Sequence, residues 1–242
     1  MRFILLNAYI AIDTILFCLW TAILAIFDRT GNTIHAWVAR PWGKSILWGC
    51  GVKVRVAGAE AADGSKPRIY MCNHQSFFDI FALLAYLPVN FKFIMKQELM
   101  RIPLFGFAVR RAGYIGIVRG DPRKAVESMN KAAQRIRDGA SVLIFPEGTR
   151  SIDGSLQGFK RGGFNLAVKS GCDIVPIGIS GSHAIVPKGS LRINRGTIDM
   201  RIGAPISLAD YGKRDIQKLE MDVWLAIDKL ISPHREPAGH PS

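Results

Sequence analysis

Cysteine is sparse and unpaired. Cys18, Cys50, Cys72 and Cys172 form no CxxC pair, and no histidine stands at metal-ligand spacing from them. That argues against a disulfide framework or a zinc site, and it fits a reducing compartment. There is no G-x-S-x-G elbow, which disfavours a serine hydrolase. No Walker loop and no GxGxxG helix start occur, which disfavours a nucleotide-driven reaction. Internal repeats and a convincing interdomain linker are also missing, so 242 residues read as one substantial domain with an appendage. Acidic residues are few as well. Nineteen Asp and Glu face 32 Lys and Arg, a net charge of +13.

What is present is apolar and basic together: 49% hydrophobic residues and a mean hydropathy of +0.16. That balance suits nucleic acid or an anionic membrane surface, or is a basic but indifferent exterior. The first stretch favours the membrane. Phe3 to Phe27 is long and apolar enough to cross a bilayer. It is too long for an ordinary signal-peptide core, and no small-residue cleavage site follows before Asp28 and Arg29. Asn7, Thr14 and Thr21 recur every seven residues beside Asp13, a polar stripe suited to packing on another helix or lying obliquely in the interface. Trp37, Trp42 and Trp48 follow among Arg40 and Lys44, a headgroup-region composition. Residues 1–50 are therefore expected to attach to a membrane, spanning or dipping. If the helix spans, Arg29, Arg40 and Lys44 outweigh Arg2 and place the main domain in the cytoplasm.

From Val52 short β-rich runs alternate with amphipathic helices. Strands are expected at 52–58, 68–72, 91–95, 113–118 and 141–145. A further strand at 173–179 contains Pro176, which suggests an edge or a bulge. Residues 191–203 read as a hairpin. Asp121-Pro122 marks a helix start whose apolar face is Val126, Met129, Ala133 and Ile136, closed by Gly139. Helices are also expected after 72 to about Tyr86, over 161–171 and over 213–231, with a disordered tail at 233–242. The fold class is α/β: a largely parallel central sheet flanked by helices over 51–232, preceded by the membrane-associated helical segment.

Three polar clusters each follow a predicted strand: His74 after 68–72, Arg119 after 113–118, and "PEGTR" (146–150) after 141–145. Strand carboxyl ends of a parallel sheet share one side, so the clusters would converge on one cleft. Each has a plainer reading. Ser76 to Asp79 matches a capping box; His74 taken alone is more often a core histidine; Pro146-Glu147-Gly148 can be only a turn. The arginines can be solvated charges. Taken together, a histidine at a strand end with a carboxylate one helical turn on can form a proton-handling dyad. Arginines over the same strand ends suit a phosphate.

"NHQSFFD" and "FPEGTR", in that order and about seventy residues apart, resemble the paired signatures of the glycerolipid acyltransferase family. The similarity runs from about residue 45 to 205, and the layout is similar to its bacterial lysophosphatidate acyltransferases. The resemblance implies His74 as general base and Asp79 as its partner. It implies Glu147, Gly148, Thr149 and Arg150 along the acceptor site, with Arg150 on the phosphate. Arg119 would be a second phosphate ligand and Lys96 a basic residue near the acceptor. "IVPIGI" looks like the fourth motif, a hydrophobic wall near the acyl chain. Gly116 and Val118 depart from the second motif, where a bulkier and a more polar residue are usual, and put acceptor identity in question. The implied reaction moves an acyl group from acyl-CoA or acyl-carrier protein to the sn-2 hydroxyl of lysophosphatidate, with no cofactor, no metal and no nucleic acid. Glycerol-3-phosphate or a lyso-aminolipid are alternative acceptors, and a non-catalytic anionic-lipid or nucleic-acid binding module is the rival from another class.

Overall fold

The computed structural model describes residues 2–118, 120–212 and 214–232. Arg119 and the expected tail at 233–242 lie outside the described residues.

The chain opens with helix α1 (Arg2–Leu24), followed by a short turn of helix α2 (Asn32–Ile34), a π turn (His35–Ala39) and α3 (Arg40–Cys50). The alternating part comprises β1 (Val52–Ala57), β2 (Ile69–Cys72), α4 (Phe78–Tyr86), β3 (Lys92–Lys96), α5 (Phe105–Arg111), β4 (Ile115–Ile117), α6 (Pro122–Arg137) and β5 (Val142–Ile144). It continues through α7 (Gly162–Ser170), β6 (Ile174–Ser180), α8 (Ser182–Ile185), β7 (Gly196–Ile202) and α9 (Ile216–Ile231). The seven strands form one sheet in the order β1-β7-β6-β2-β5-β3-β4. Every neighbouring pair is parallel except β6 with β7. The sheet is thus largely parallel, and one apolar cluster fills each face. The cluster with α3 and α4 covers one side, and that with α6, α7 and α9 the other. Strands covered on both faces read as continuous apolar runs, which is why β2 and β5 are uniformly buried.

Two expectations change. The segment at 191–203 is not a hairpin: only β7 is a strand. Ahead of it, Asn194 donates its backbone N–H to Ile185 O and its side-chain amide to Ala184 O, so the chain docks on α8 instead of folding back on β7. Pro176 does not mark an edge, since β6 lies between β7 and β2. A residue's nitrogen and carbonyl point to the same side of a strand, and Pro176 O accepts from Gly203 N. Its missing N–H therefore faces the place where β7 has just ended. There the pairing shifts by one residue, from Ile177↔Ile202 to Ile174↔Ile206, which is the bulge alternative. Being central, β6 also buries Ile174, Val175, Ile177 and Ile179 completely in the core, away from any open surface.

Helix α1 turns its polar stripe inward. Ser45 on α3 donates to Asp13 Oδ1 at 3.0 Å and shares a hydrogen bond with Tyr9 Oη at 2.8 Å. Asn7 Nδ2 reaches Leu191 O at 2.9 Å, tying the start of α1 to the loop before β7. The opposite face leaves Leu5, Ile12, Leu16, Leu19 and Ile23 exposed, spaced three to seven apart. Helix α1 is long and apolar enough to cross a membrane, with 23 residues and an 18-residue stretch of mean hydropathy 1.9. Trp37 and Trp48 are exposed on the same segment, whereas Trp42 is half-buried edge-on against Phe81.

Candidate active site

The site forms where β2 and β5, neighbours in the sheet, release their chains at the same edge. Asn73 fixes the exit from β2. Its amide donates to Ile179 O at 2.8 Å and accepts from Ile179 N at 2.7 Å, so a side chain extends the ladder to β6. His74 follows, stacked on Phe145 from the end of β5 with centroids 3.9 Å apart. Its Nδ1 lies 2.9 Å from Asp79 Oδ2, and its Nε2 has no partner among the described residues.

Asp79 serves both readings of the motif at once. Oδ2 accepts the backbone N–H groups of Gln75 at 2.7 Å and Ser76 at 2.8 Å, as a capping acid does, and also meets the histidine. Ser76 Oγ in turn accepts from Phe78 N and donates to Val186 O. The Asp79 carboxylate is fully buried, and Oδ1 has no partner. With an ionised acid on Nδ1, that nitrogen carries the proton and Nε2 presents its lone pair outward.

Glu147 takes a position the motif does not reveal. It is 3% exposed, and its two oxygens accept His74 N at 2.6 Å and Gln157 N at 3.1 Å. Ser151 N returns a bond to His74 O at 2.8 Å. Glu147 is thus a brace between the two signature loops. Burial pushes its carboxyl up to about 8, against the pull of the two N–H donors. A carboxyl raised in the folded state contributes stability that is complete below its unfolded value and is lost as pH climbs toward 8. The buried imidazole of His35, held down to about 3 by burial, acts below pH 6.5, and Lys92, lowered to about 8 by burial, acts above pH 8. Thermal stability is therefore expected to fall from pH 6.5 to 8 in the wild type. In Glu147→Gln the melting temperature should be lower throughout but flat across that window, because the amide cannot ionise yet sets an N–H against an N–H. Melting curves at several pH values check this; a slope retained in the variant would assign it elsewhere.

Gly148 has φ +72°, which favours glycine at the turn, and the Lys160 side chain lies over it, with Cδ 3.0 Å from where a Cβ would stand. Thr149 is exposed and accepts at Oγ1 from Lys188 Nζ at 3.1 Å. Arg150 lays its guanidinium over the Phe77 ring, 3.6 Å from the centroid. Its Nη1 is buried with no partner. Burial lowers its pKa and the Asp79 charge opposes this, but arginine stays protonated. A buried N–H without an acceptor costs free energy, so this guanidinium is set up for an anion. Lys96 sits exposed at the end of β3, in register with Ile117 two residues before Arg119. Gly116 leaves room for Gln97: a Cβ would lie 2.1 Å from its Oε1. Lys160 and Lys188 were not singled out from sequence. Lys160 stands ten residues past the signature and Lys188 in a loop beyond β6, and only the fold brings both onto the Gly148–Thr149 turn.

Among the described residues no cluster of three metal-ligating side chains occurs. A carboxylate-held imidazole and a guanidinium with a buried unpartnered N–H, at the carboxyl edge of a mostly parallel sheet, define an α/β protein with a polar site at its strand ends. The acyltransferase family model matches residues 53–180, and the chain belongs to this family. It is 39% identical over 183 residues to the chloroplastic 1-acyl-sn-glycerol-3-phosphate acyltransferase LPAT1 of Arabidopsis thaliana, covering 75% of this chain and 51% of that one. The chain thus spans about half the length of such plant relatives. A 1-acyl-sn-glycerol-3-phosphate acyltransferase of Pseudomonas aeruginosa is 31% identical over 215 residues, covering 86% of this chain and 82% of that one. The fold matches the crystal structure of the 1-acyl-sn-glycerophosphate (LPA) acyltransferase PlsC of Thermotoga maritima, with a TM-score of 0.79, 97% coverage of both chains and 23% identity.

Proposed function

We infer that the protein transfers a fatty acyl group from acyl-CoA or acyl-carrier protein to the sn-2 hydroxyl of lysophosphatidate, giving phosphatidate. The observation that carries the reading is the His74–Asp79 contact of 2.9 Å with Nε2 left free. The names of the plant and bacterial relatives supply the reaction. In the first step Nε2 accepts the hydroxyl proton as the oxygen bonds to the thioester carbonyl carbon. Asp79 stabilises the imidazolium that results. The tetrahedral intermediate then expels the thiolate, which takes the proton back from His74. Arg150 holds the acceptor's phosphate, with Lys96 as a further cation at the end of β3, Thr149 at the rim, and Arg119 as a second phosphate ligand on the strength of its sequence motif alone. Glu147 acts through the loops it joins.

The reaction is placed at a membrane, the inner membrane in a bacterium, with the catalytic domain on the cytoplasmic face. Supporting this are the outward apolar face of α1 and the exposed Trp37 and Trp48 beside Arg40 and Lys44, which suit an anionic lipid surface. Leu16→Ser, Leu19→Ser and Ile23→Ser together remove apolar side chains that touch no core cluster. Each is worth about 1.5–3 kcal/mol when buried, so the triple variant should fail to float with anionic vesicles that carry the wild type. Continued flotation would place the attachment on another surface.

The reaction itself is tested by offering purified membranes competing acceptors with labelled acyl-CoA and acyl-carrier protein. Lysophosphatidate is expected to be the preferred acceptor. A preference for glycerol-3-phosphate or a lyso-aminolipid would reassign it, and no transfer to any acceptor would leave a binding module.

A further inference from the structure

Three cations converge on one turn. Lys160 covers Gly148, with its Nζ 3.3 Å from where a Cβ would stand. Lys188 reaches in from the loop after α8 to Thr149 Oγ1 at 3.1 Å. Arg150 is the next residue, with its buried Nη1 unpartnered. Among the described residues no carboxylate forms an ion pair with any of the three. Asp79 acts on Arg150 only through space, and Glu147 is engaged by two backbone N–H groups. Like charges gathered without a counter-charge repel one another, and an anion of more than one charge relieves this best.

We propose that Lys188, with Lys160 beside it, makes the site selective for an acceptor whose phosphate is a monoester. A phosphate monoester carries about −1.5 to −2 charges at neutral pH and three accepting oxygens. A diester has given one of those oxygens to a second alcohol and keeps a single charge. The planar fork of Arg150 engages two oxygens side by side. The third oxygen and the second charge fall to the ammonium of Lys188, which gives up its hydroxyl partner on Thr149 to take them. The proposal rests on the acyl-transfer reading and narrows it: lysolipids with a bare phosphate are acylated, and those whose phosphate bears a further headgroup are discriminated against.

The test compares kcat/KM for lysophosphatidate and for its phosphate methyl ester, in micelles of an uncharged detergent. The full-length wild type, Lys188→Ala, Lys188→Arg and Arg192→Ala are assayed, the last being an exposed cation on the same loop. The wild type is expected to prefer the monoester. Lys188→Ala should lose about tenfold on the monoester, mostly through KM, and less than about twofold on the methyl ester. Lys188→Arg should recover most of the preference, and Arg192→Ala should keep it. Equal losses on both acceptors would mean a general surface attraction and overturn the proposal, as would an unchanged preference in Lys188→Ala. A wild type that acylates both acceptors equally overturns the selectivity alone. One that acylates neither overturns the reaction assignment, and the selectivity with it.

Discussion

His74→Ala should lower acyl transfer by about a hundred- to ten-thousandfold, the contribution typical of a positioned general base, while the protein stays folded and membrane-bound. The reason lies in what the imidazole does and does not support. Its Nε2 has no partner among the described residues, and its Nδ1 is one of three donors to Asp79 Oδ2. Removing the ring therefore leaves the carboxylate with two backbone N–H groups, and it bares one face of Phe145. Asp79→Asn is the less clean substitution. Its amide oxygen would keep the Gln75 and Ser76 N–H groups, but its NH2 would be buried where Oδ1 has no partner, so that variant should lose stability as well as rate. Initial rates with labelled thioester, read beside a melting curve and a flotation assay, separate the two effects. Near-normal turnover in His74→Ala would end the base mechanism.

Arg150→Ala should reduce kcat/KM for lysophosphatidate by about ten- to a hundredfold, since hydrogen bonds to charged groups are each worth about 1.5–3 kcal/mol. Little structural cost is expected. Among the described residues the guanidinium has no hydrogen-bond acceptor and rests on the Phe77 ring, so its removal orphans none of them. Arg150→Lys should recover only part of the loss, because an ammonium lacks the two-pronged fork. The melting temperature should change little in either variant. A large drop in stability with unchanged kinetics would recast Arg150 as a packing residue.

The sheet and most helices were legible because the period changes along the chain. Val142 to Ile144 is a solid apolar run, as a strand buried on both faces must be, whereas Met129, Ala133 and Ile136 recur at helical spacing on the inward side of α6; Val126, expected on the same face, is exposed instead. The hairpin error has a definite source. Residues 191–203 alternate on both sides of a polar Asn194–Gly196 break, and alternation does not say where pairing begins; the bonds from Asn194 to α8 decide that. Pro176 announces a missing donor but not the direction in which it would have pointed. Glu147 reads as part of a turn or of the acceptor-site lining, and its burial depends on Gln157 and His74 arriving from different loops. His74 and Asp79 were readable because five residues separate them, within reach of one helical turn. Lys160 and Lys188 carry no such local signal among 32 basic residues.

The seam between α1 and α3 bears on how the anchor behaves once lipid surrounds it. Two helices joined only by leucines have no reason to stay together in hydrocarbon, where the surrounding tails are as apolar as the contact itself. Asp13, Ser45 and Tyr9 form a hydrogen-bonded link instead, and dissolving it in lipid would strand polar atoms with nothing to bond. With α1 in a membrane, as proposed, the pair would be held most firmly in the medium that loosens an oily joint, and the catalytic domain would keep a fixed attitude to the bilayer.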